Sequence, residues 1–171
     1  MDCMLRLGIA ALLAAIVLTA QQLPDVKTER AAPPQPIAYS HKLHAGQLKL
    51  ECTSCHTMPG EGESATLPST ERCMSCHQTI KKDSPEIAKI AAAHAEGKPI
   101  EWAPVYRIPE FVFFSHKKHL GVTGVTCENC HGPVKEREVM RREKDLSMGA
   151  CMECHVATKA QFGCTTCHDQ R

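Results

Sequence analysis

The sequence predicts a chain with little regular secondary structure, in which short helices wrap around covalently bound groups instead of packing on an apolar core. Three observations lead there: five copies of Cys-x-x-Cys-His stand in 171 residues, aromatic residues make up only 4% of the chain, and the pattern around the motifs is duplicated. The motifs are Cys52-Thr-Ser-Cys55-His56, Cys73-Met-Ser-Cys76-His77, Cys127-Glu-Asn-Cys130-His131, Cys151-Met-Glu-Cys154-His155 and Cys164-Thr-Thr-Cys167-His168. A composition of 11 Cys and 10 His would supply only about 0.04 copies by chance.

Each motif is a c-type haem attachment signature. The two thiols add across the haem vinyl groups as thioethers, and the adjacent imidazole is held close enough to take one axial position on the iron. Zinc needs spaced ligand pairs, with no reason for a His joined to every second Cys. A disulfide framework gives no reason for ten of the eleven Cys to fall in the motif. The fold class is therefore a multihaem cytochrome c with five c-type haems, whose irons take His56, His77, His131, His155 and His168 on the proximal side.

The composition agrees. The part beyond the N-terminal segment, about 135 residues, is too short and too poor in large apolar side chains for an ordinary core. Porphyrins supply the missing apolar surface, so the chain without haem should be largely disordered. The formal charge of +1 omits two propionates per haem, so the loaded protein is acidic. That speaks against nucleic-acid binding and makes the scattered Lys and Arg counter-ions for propionates.

From the N-terminus, residues 1–23 hold Arg6 and then the apolar run Leu7–Ala20, an export signal. Its 14 residues suit a cleavable segment, yet Leu18 occupies the place of a small cleavage-site residue, and extension to Leu23 reaches 17 residues, the lower limit for a span. A signal peptide and an N-terminal membrane anchor both remain open. Cys3 precedes the run, so it is no lipoprotein cysteine. Residues 24–36, with Pro24, Pro33, Pro34 and Pro36, form an extended tether to a pentahaem domain over 37–171.

Within that domain Ser40-His41-Lys-Leu-His44-Ala-Gly46, followed by five residues and Cys52, is matched by Ser115-His116-Lys-Lys-His119-Leu-Gly121, five residues and Cys127. The match continues as Ser69-x-x-x-Cys73-Met74 and Ser147-x-x-x-Cys151-Met152. Two-haem units are thus repeated over about 37–80 and 112–155, and the fifth motif, in 156–171, is an addition. Between the repeats, Ser84-Pro85-Glu86 starts a helix that Gly97 stops, an insert over about 84–97.

Outside the motifs five His remain, His41, His44, His94, His116 and His119, as many as there are irons to close. The paired His lie three residues apart, and on one helical turn they could reach different haems. His94 shares a stripe with Ile87, Ile90 and Ala91 at i, i+3, i+4 and i+7 spacing. The fifth distal ligand is His94 or Met148, which stands three residues before Cys151.

These residues resemble a known group. Pro36-Ile-Ala-Tyr-Ser-His41-Lys-Leu-His44-Ala-Gly46, Gly97-Lys-Pro-Ile-Glu-Trp102, Phe111-Val-Phe-Phe-Ser-His116, Leu146-Ser-Met148-Gly149 and the last motif look like the pentahaem cytochrome c subunit of alternative complex III. The His-x-x-His unit is similar to class III cytochromes, the cytochrome c3 and c7 group. The resemblance implies an N-terminal membrane anchor and an extracytoplasmic haem domain. The partners it implies are an iron–sulfur, molybdopterin-family-like subunit, a monohaem cytochrome and a quinol-binding membrane subunit, or a soluble redox partner. It also implies that His41 pairs with His56 and His116 with His131, while His44 and His119 reach other haems.

The function expected is electron transfer without catalysis by the chain itself, on the periplasmic side and in a quinol-oxidising respiratory complex. Two alternatives stand beside it: a small membrane-anchored quinol dehydrogenase, cued by Met58 after the first motif, and a diffusible or filament-forming periplasmic carrier. A multihaem reductase is disfavoured, since no Cys-x-x-Cys-Lys motif occurs.

Overall fold

The structure, a computed structural model, describes residues 31–58 and 64–168. Cys3, the apolar run Leu7–Ala20 and the tether before residue 31 lie outside the described residues. Among those described, no helix is long and apolar enough to cross a membrane.

Short helical pieces follow one another along the chain. A π-wound turn, Lys42–Gln47, carries the first His pair, and a 3-10 turn, Cys52–Ser54, opens the first motif. Then come α1 (Thr70–His77), α2 (Pro85–Ala95), α3 (His116–Leu120) and α4 (Cys127–His131), a 3-10 turn at Val134–Glu136, and finally α5 (Met148–Ala157) and α6 (Cys164–Cys167). Among the described residues no strand forms, and the β pairing present is an isolated antiparallel bridge between Val112 and His168.

Repeated serines start the repeated elements. Ser69, Ser115 and Ser147 cap α1, α3 and α5, each accepting a hydrogen bond from the backbone N–H three residues on, at 3.3 Å in every case. Each hydroxyl satisfies an N–H that a helix of 5 to 10 residues could not pair internally. Ser40 does the same for Leu43 at 2.9 Å. At α4 the cap is a reciprocal box, with Asn129 Oδ1 accepting from the Thr126 N–H at 2.6 Å.

The insert helix α2 begins at Pro85 in the first turn and ends at Gly97, whose φ of +65° suits glycine. The N–H of Lys98 donates to Ala93 O at 2.9 Å and that of Gly97 to His94 O at 3.0 Å, a closure in which orphan carbonyls of the last turn are satisfied. α2 packs along α1. The stripe expected to be buried fades along its length: Ile90 is 4% exposed, Ile87 and Ala91 are half-buried, and His94 is exposed at the last turn.

The core is small. Among the described residues, Ile37 and Ile90 are the buried apolar side chains, and Thr70 and Ser115 the buried polar ones.

The two His pairs sit on different windings, α-helical at His116 and π-wound after His41. The wide turn is where Gly46 meets the second half of the chain, since a Cβ there would stand 2.3 Å from the Lys135 carbonyl oxygen. Lys42 N–H donates to Arg137 O at 2.9 Å beside it. Glycine therefore lets the first His-bearing turn lie against the 3-10 turn that follows the third motif.

Candidate haem sites

Four pairs of imidazoles face one another. His41 and His56 have ring centroids 6.3 Å apart and planes within 8°. His116 and His131 repeat this at 6.3 Å and 6°. His44 and His77 lie at 6.2 Å and 60°, and His119 and His155 at 6.0 Å and 51°. Each pair joins one His of a His-x-x-His turn to the last residue of a Cys-x-x-Cys-His motif.

The separations test the fit of a haem iron. Two metal–nitrogen bonds of about 2.0 Å, each continued by about 1.1 Å to a ring centre, place two axial imidazoles roughly 6.2 Å apart centre to centre. The first ring of each turn faces the nearest following motif and the second ring faces the motif after it. The two repeats also share their torsional pattern: a near-parallel pair, then a crossed pair.

Backbone carbonyls orient the rings. Nδ1 of His44 lies 2.9 Å from Ser40 O and that of His119 2.8 Å from Ser115 O. On the motif side, Nδ1 of His56 is 2.8 Å from Thr66 O, that of His77 3.0 Å from Ile80 O, and that of His155 2.8 Å from Gln161 O. A carbonyl oxygen only accepts, so Nδ1 carries the proton and Nε2 keeps the lone pair that a metal takes. Burial, with His56 and His44 nearby, holds His41 down to about 4. His131 is lowered too, by burial first and then by His116 and His56. Both rings are neutral at ordinary pH, as ligation requires.

An aromatic ring stands between the two distal positions of each repeat. Tyr39 meets His41 edge-on at 4.9 Å and stacks on His44 at 4.4 Å. Phe114 meets His116 edge-on at 4.9 Å and stacks on His119 at 4.3 Å. Tyr39 is not among the residues the ligand pattern singles out, yet an aromatic immediately before Ser-His recurs in both repeats and signals the role.

The ten motif cysteines are free thiols, so the two-residue spacing closes no disulfide. Burial pushes the Cys127 thiol up, and Cys52, hydrogen-bonded to it, adds to the rise. Cys73 is raised by burial and then by Cys55, and Cys130 by burial and then by Cys154. Cys151 is raised by burial, then by Cys130 and Cys167. The attachment thiols of successive sites are thus neighbours. The Trp102 indole N–H is buried without an acceptor among the described residues, a donor of the kind a propionate accepts from.

The fifth motif is held differently. Cys167 O accepts from Phe113 N–H at 2.7 Å, and the His168 ring stacks on Phe111 at 5.8 Å. Among the described residues no second imidazole faces His168. His94 is placed elsewhere, its Nδ1 3.4 Å from Thr70 Oγ1 at the start of α1. Met148 is the first residue of α5 and is 65% exposed.

Short helices that present paired thiols and facing imidazoles around almost no core define a multihaem cytochrome c, a class that carries haem and transports electrons. The chain belongs to the class III cytochrome c family: that family's model matches residues 17–103, and the model for cytochrome c7 and related cytochrome c matches residues 112–170. It is 30% identical to the "Menaquinone reductase, multiheme cytochrome c subunit" of Nitratidesulfovibrio vulgaris, over 78% of this chain and 76% of that protein.

Proposed function

We propose that the chain holds five c-type haems through Cys52/Cys55, Cys73/Cys76, Cys127/Cys130, Cys151/Cys154 and Cys164/Cys167, and serves as the electron-carrying subunit of a quinone-linked membrane complex on the extracytoplasmic side. The observation that carries this is the set of four imidazole pairs at 6.0–6.3 Å. The haems supply reversible one-electron chemistry when bound. The chain's residues would hold four irons between paired imidazoles, and backbone carbonyls fix five of those eight rings through Nδ1, which supports a carrier rather than a catalyst.

The apolar run Leu7–Ala20 supports export, as anchor or signal, with residues 24–36 as tether and 37–171 as the haem domain of two repeated units, insert and added fifth site. The resemblance to the pentahaem subunit of alternative complex III supports partners that oxidise quinol. The relative in Nitratidesulfovibrio vulgaris supports a second direction, since its name is that of a reductase of menaquinone. Intact-mass measurement of the mature protein counts the haems and shows whether residues 1–20 are retained. Electron paramagnetic resonance of the ferric protein then tests the ligation: four low-spin signals of bis-imidazole type are expected, and two or more high-spin irons per chain would overturn the reading. In the purified complex, haem reduction by added menaquinol, against haem oxidation by added menaquinone, separates the two directions.

A further inference from the structure

One motif imidazole lacks the backbone contact that orients the others. Nδ1 of His56, His77 and His155 lies 2.8–3.0 Å from the Thr66, Ile80 and Gln161 carbonyl oxygens, and that of His168 3.4 Å from Phe111 O. Among the described residues no carbonyl stands at Nδ1 of His131. Yet the His116–His131 pair is the closest to parallel of the four, its planes within 6°. Some other contact must stop this ring from turning about its metal bond.

Tyr106 takes hold of His131 twice. Its ring meets the imidazole at 4.7 Å and 87°, an edge-to-face contact that rotation of the imidazole would break. Its hydroxyl donates to the carbonyl oxygen of His131 itself at 3.3 Å, between residues 25 positions apart. The same hydroxyl accepts from the Glu143 N–H at 3.3 Å, so its donor and an acceptor site are both used. Glu143 is fixed in turn: Arg137 reaches its Oε2 at 3.0 Å, and Arg141 Nε stands 3.4 Å from its other carboxylate oxygen.

The first repeat has no counterpart to this arrangement. The place 25 positions before His56 is Ala31, and there the Thr66 carbonyl orients the ring. The third motif is followed by Gly132 at φ +74°, where a Cβ would stand 3.1 Å from the Glu143 carboxylate, so the chain beyond the motif packs beside Glu143.

We infer that Tyr106 is a positioning residue of the third site: its ring sets the plane of the His131 imidazole opposite His116, and its hydroxyl ties the His131 backbone to Glu143. This rests on the paired-imidazole reading above. Contacts behind an axial ligand orient it and tune the iron, so the two copies of this site, alike in their facing rings, are held by different means.

The test uses the full-length haem-loaded protein and electron paramagnetic resonance of its ferric form. His116→Ala first identifies the low-spin signal of the third site as the one it abolishes; if no signal is lost, the pairing itself fails. Given that loss, the inference stands or falls on Tyr106. Tyr106→Ala should shift the third-site signal and leave the other three paired signals in place. Tyr106→Phe keeps the ring, so all signals should stay in place while the melting temperature falls. A tyrosine that only supports the fold would lower the melting temperature in both variants without moving a signal, and that result overturns the inference. A shift in Tyr106→Phe as large as in Tyr106→Ala, a shift at another site, or an unchanged melting temperature in Tyr106→Phe overturns it too. Should Tyr106→Ala load only four haems, peptide mass locates the vacancy: free Cys127 and Cys130 agree with the inference, and any other free pair overturns it.

Discussion

Tyr39 stacks on His44 at 4.4 Å while its edge meets His41 at 4.9 Å, so a single ring fixes the imidazoles of two different sites. Phe114 does the same for His119 and His116. Burial, with Cys55 and Cys73 adding to it, pushes the Tyr39 phenol up to about 12, so the ring is uncharged at any working pH.

The hydroxyl of Tyr39 is therefore dispensable to this role, since the repeat manages with Phe114. Tyr39→Phe should leave stability within about 0.5 kcal/mol of wild type, whereas Tyr39→Ala should cost about 3 kcal/mol. Thermal unfolding of the loaded protein measures this, and the low-spin resonance signals of two haems, not one, should shift in Tyr39→Ala. A shift confined to one haem would contradict the bridging role.

Gly46 is held against backbone. Adding a Cβ 2.3 Å from the Lys135 carbonyl oxygen forces the two halves of the chain apart, because no side chain can swing away. Gly46→Ala should destabilise by about 1–3 kcal/mol. Gly121→Ala, at the matching repeat position, meets the Lys117 and Lys118 carbonyls at 3.4 Å and should cost clearly less. Equal melting temperatures for the two variants would refute the contact.

Glu143 binds the Arg137 guanidinium through two nitrogens, the second at 3.0 Å, and Gly132 leaves room beside it. The hydrogen bond and charge of Arg137 hold the Glu143 carboxyl below its ordinary value of 4.5. With the folded value depressed, the unfolded chain binds more protons once pH drops below that value. The stabilisation is present above 4.5 and is lost as pH falls through the folded value. Replacing Arg137 with Gln should flatten that part of the melting-temperature profile and change it little at neutral pH beyond a uniform offset. A profile parallel to wild type below pH 4.5 would show that Glu143 is not held by Arg137.

His41→Ala removes one face of the first pair without touching a thiol. The variant should keep its haem count and show one high-spin iron per chain, with the same outcome for His116→Ala in the matching pair. Unchanged low-spin spectra would mean that another group closes the site.

Among the described residues only Ile37 and Ile90 are buried apolar side chains, so little holds the polypeptide together except its caps and its bound groups. Expression without haem attachment should yield a chain lacking a cooperative melt by circular dichroism. A sigmoidal transition in that material would sink the expectation.

The attachment motifs, the repeat and the element starts were legible because they depend on neighbours along the chain. A Cys-x-x-Cys-His run states its own chemistry, and Ser69, Ser115 and Ser147 cap the helices they directly precede. The insert helix was likewise readable from Pro85 to Gly97, through an N-terminal proline and a φ of +65° that glycine accepts. His94 was harder. Periodicity placed it on the face of Ile90, and it does turn toward α1, but periodicity does not say which partner that face meets.

What the sequence determined by itself is local: which residues can hold a haem, and that two pairs of them are copies. Tertiary structure decided which imidazole faces which, and that Gly46 seats the first half on the second. The reason is physical. A ligand pair is a relation between residues 15 to 36 positions apart, as from His41 to His56, from His44 to His77 and from His119 to His155, and its geometry is set by packing and turns that no single motif contains.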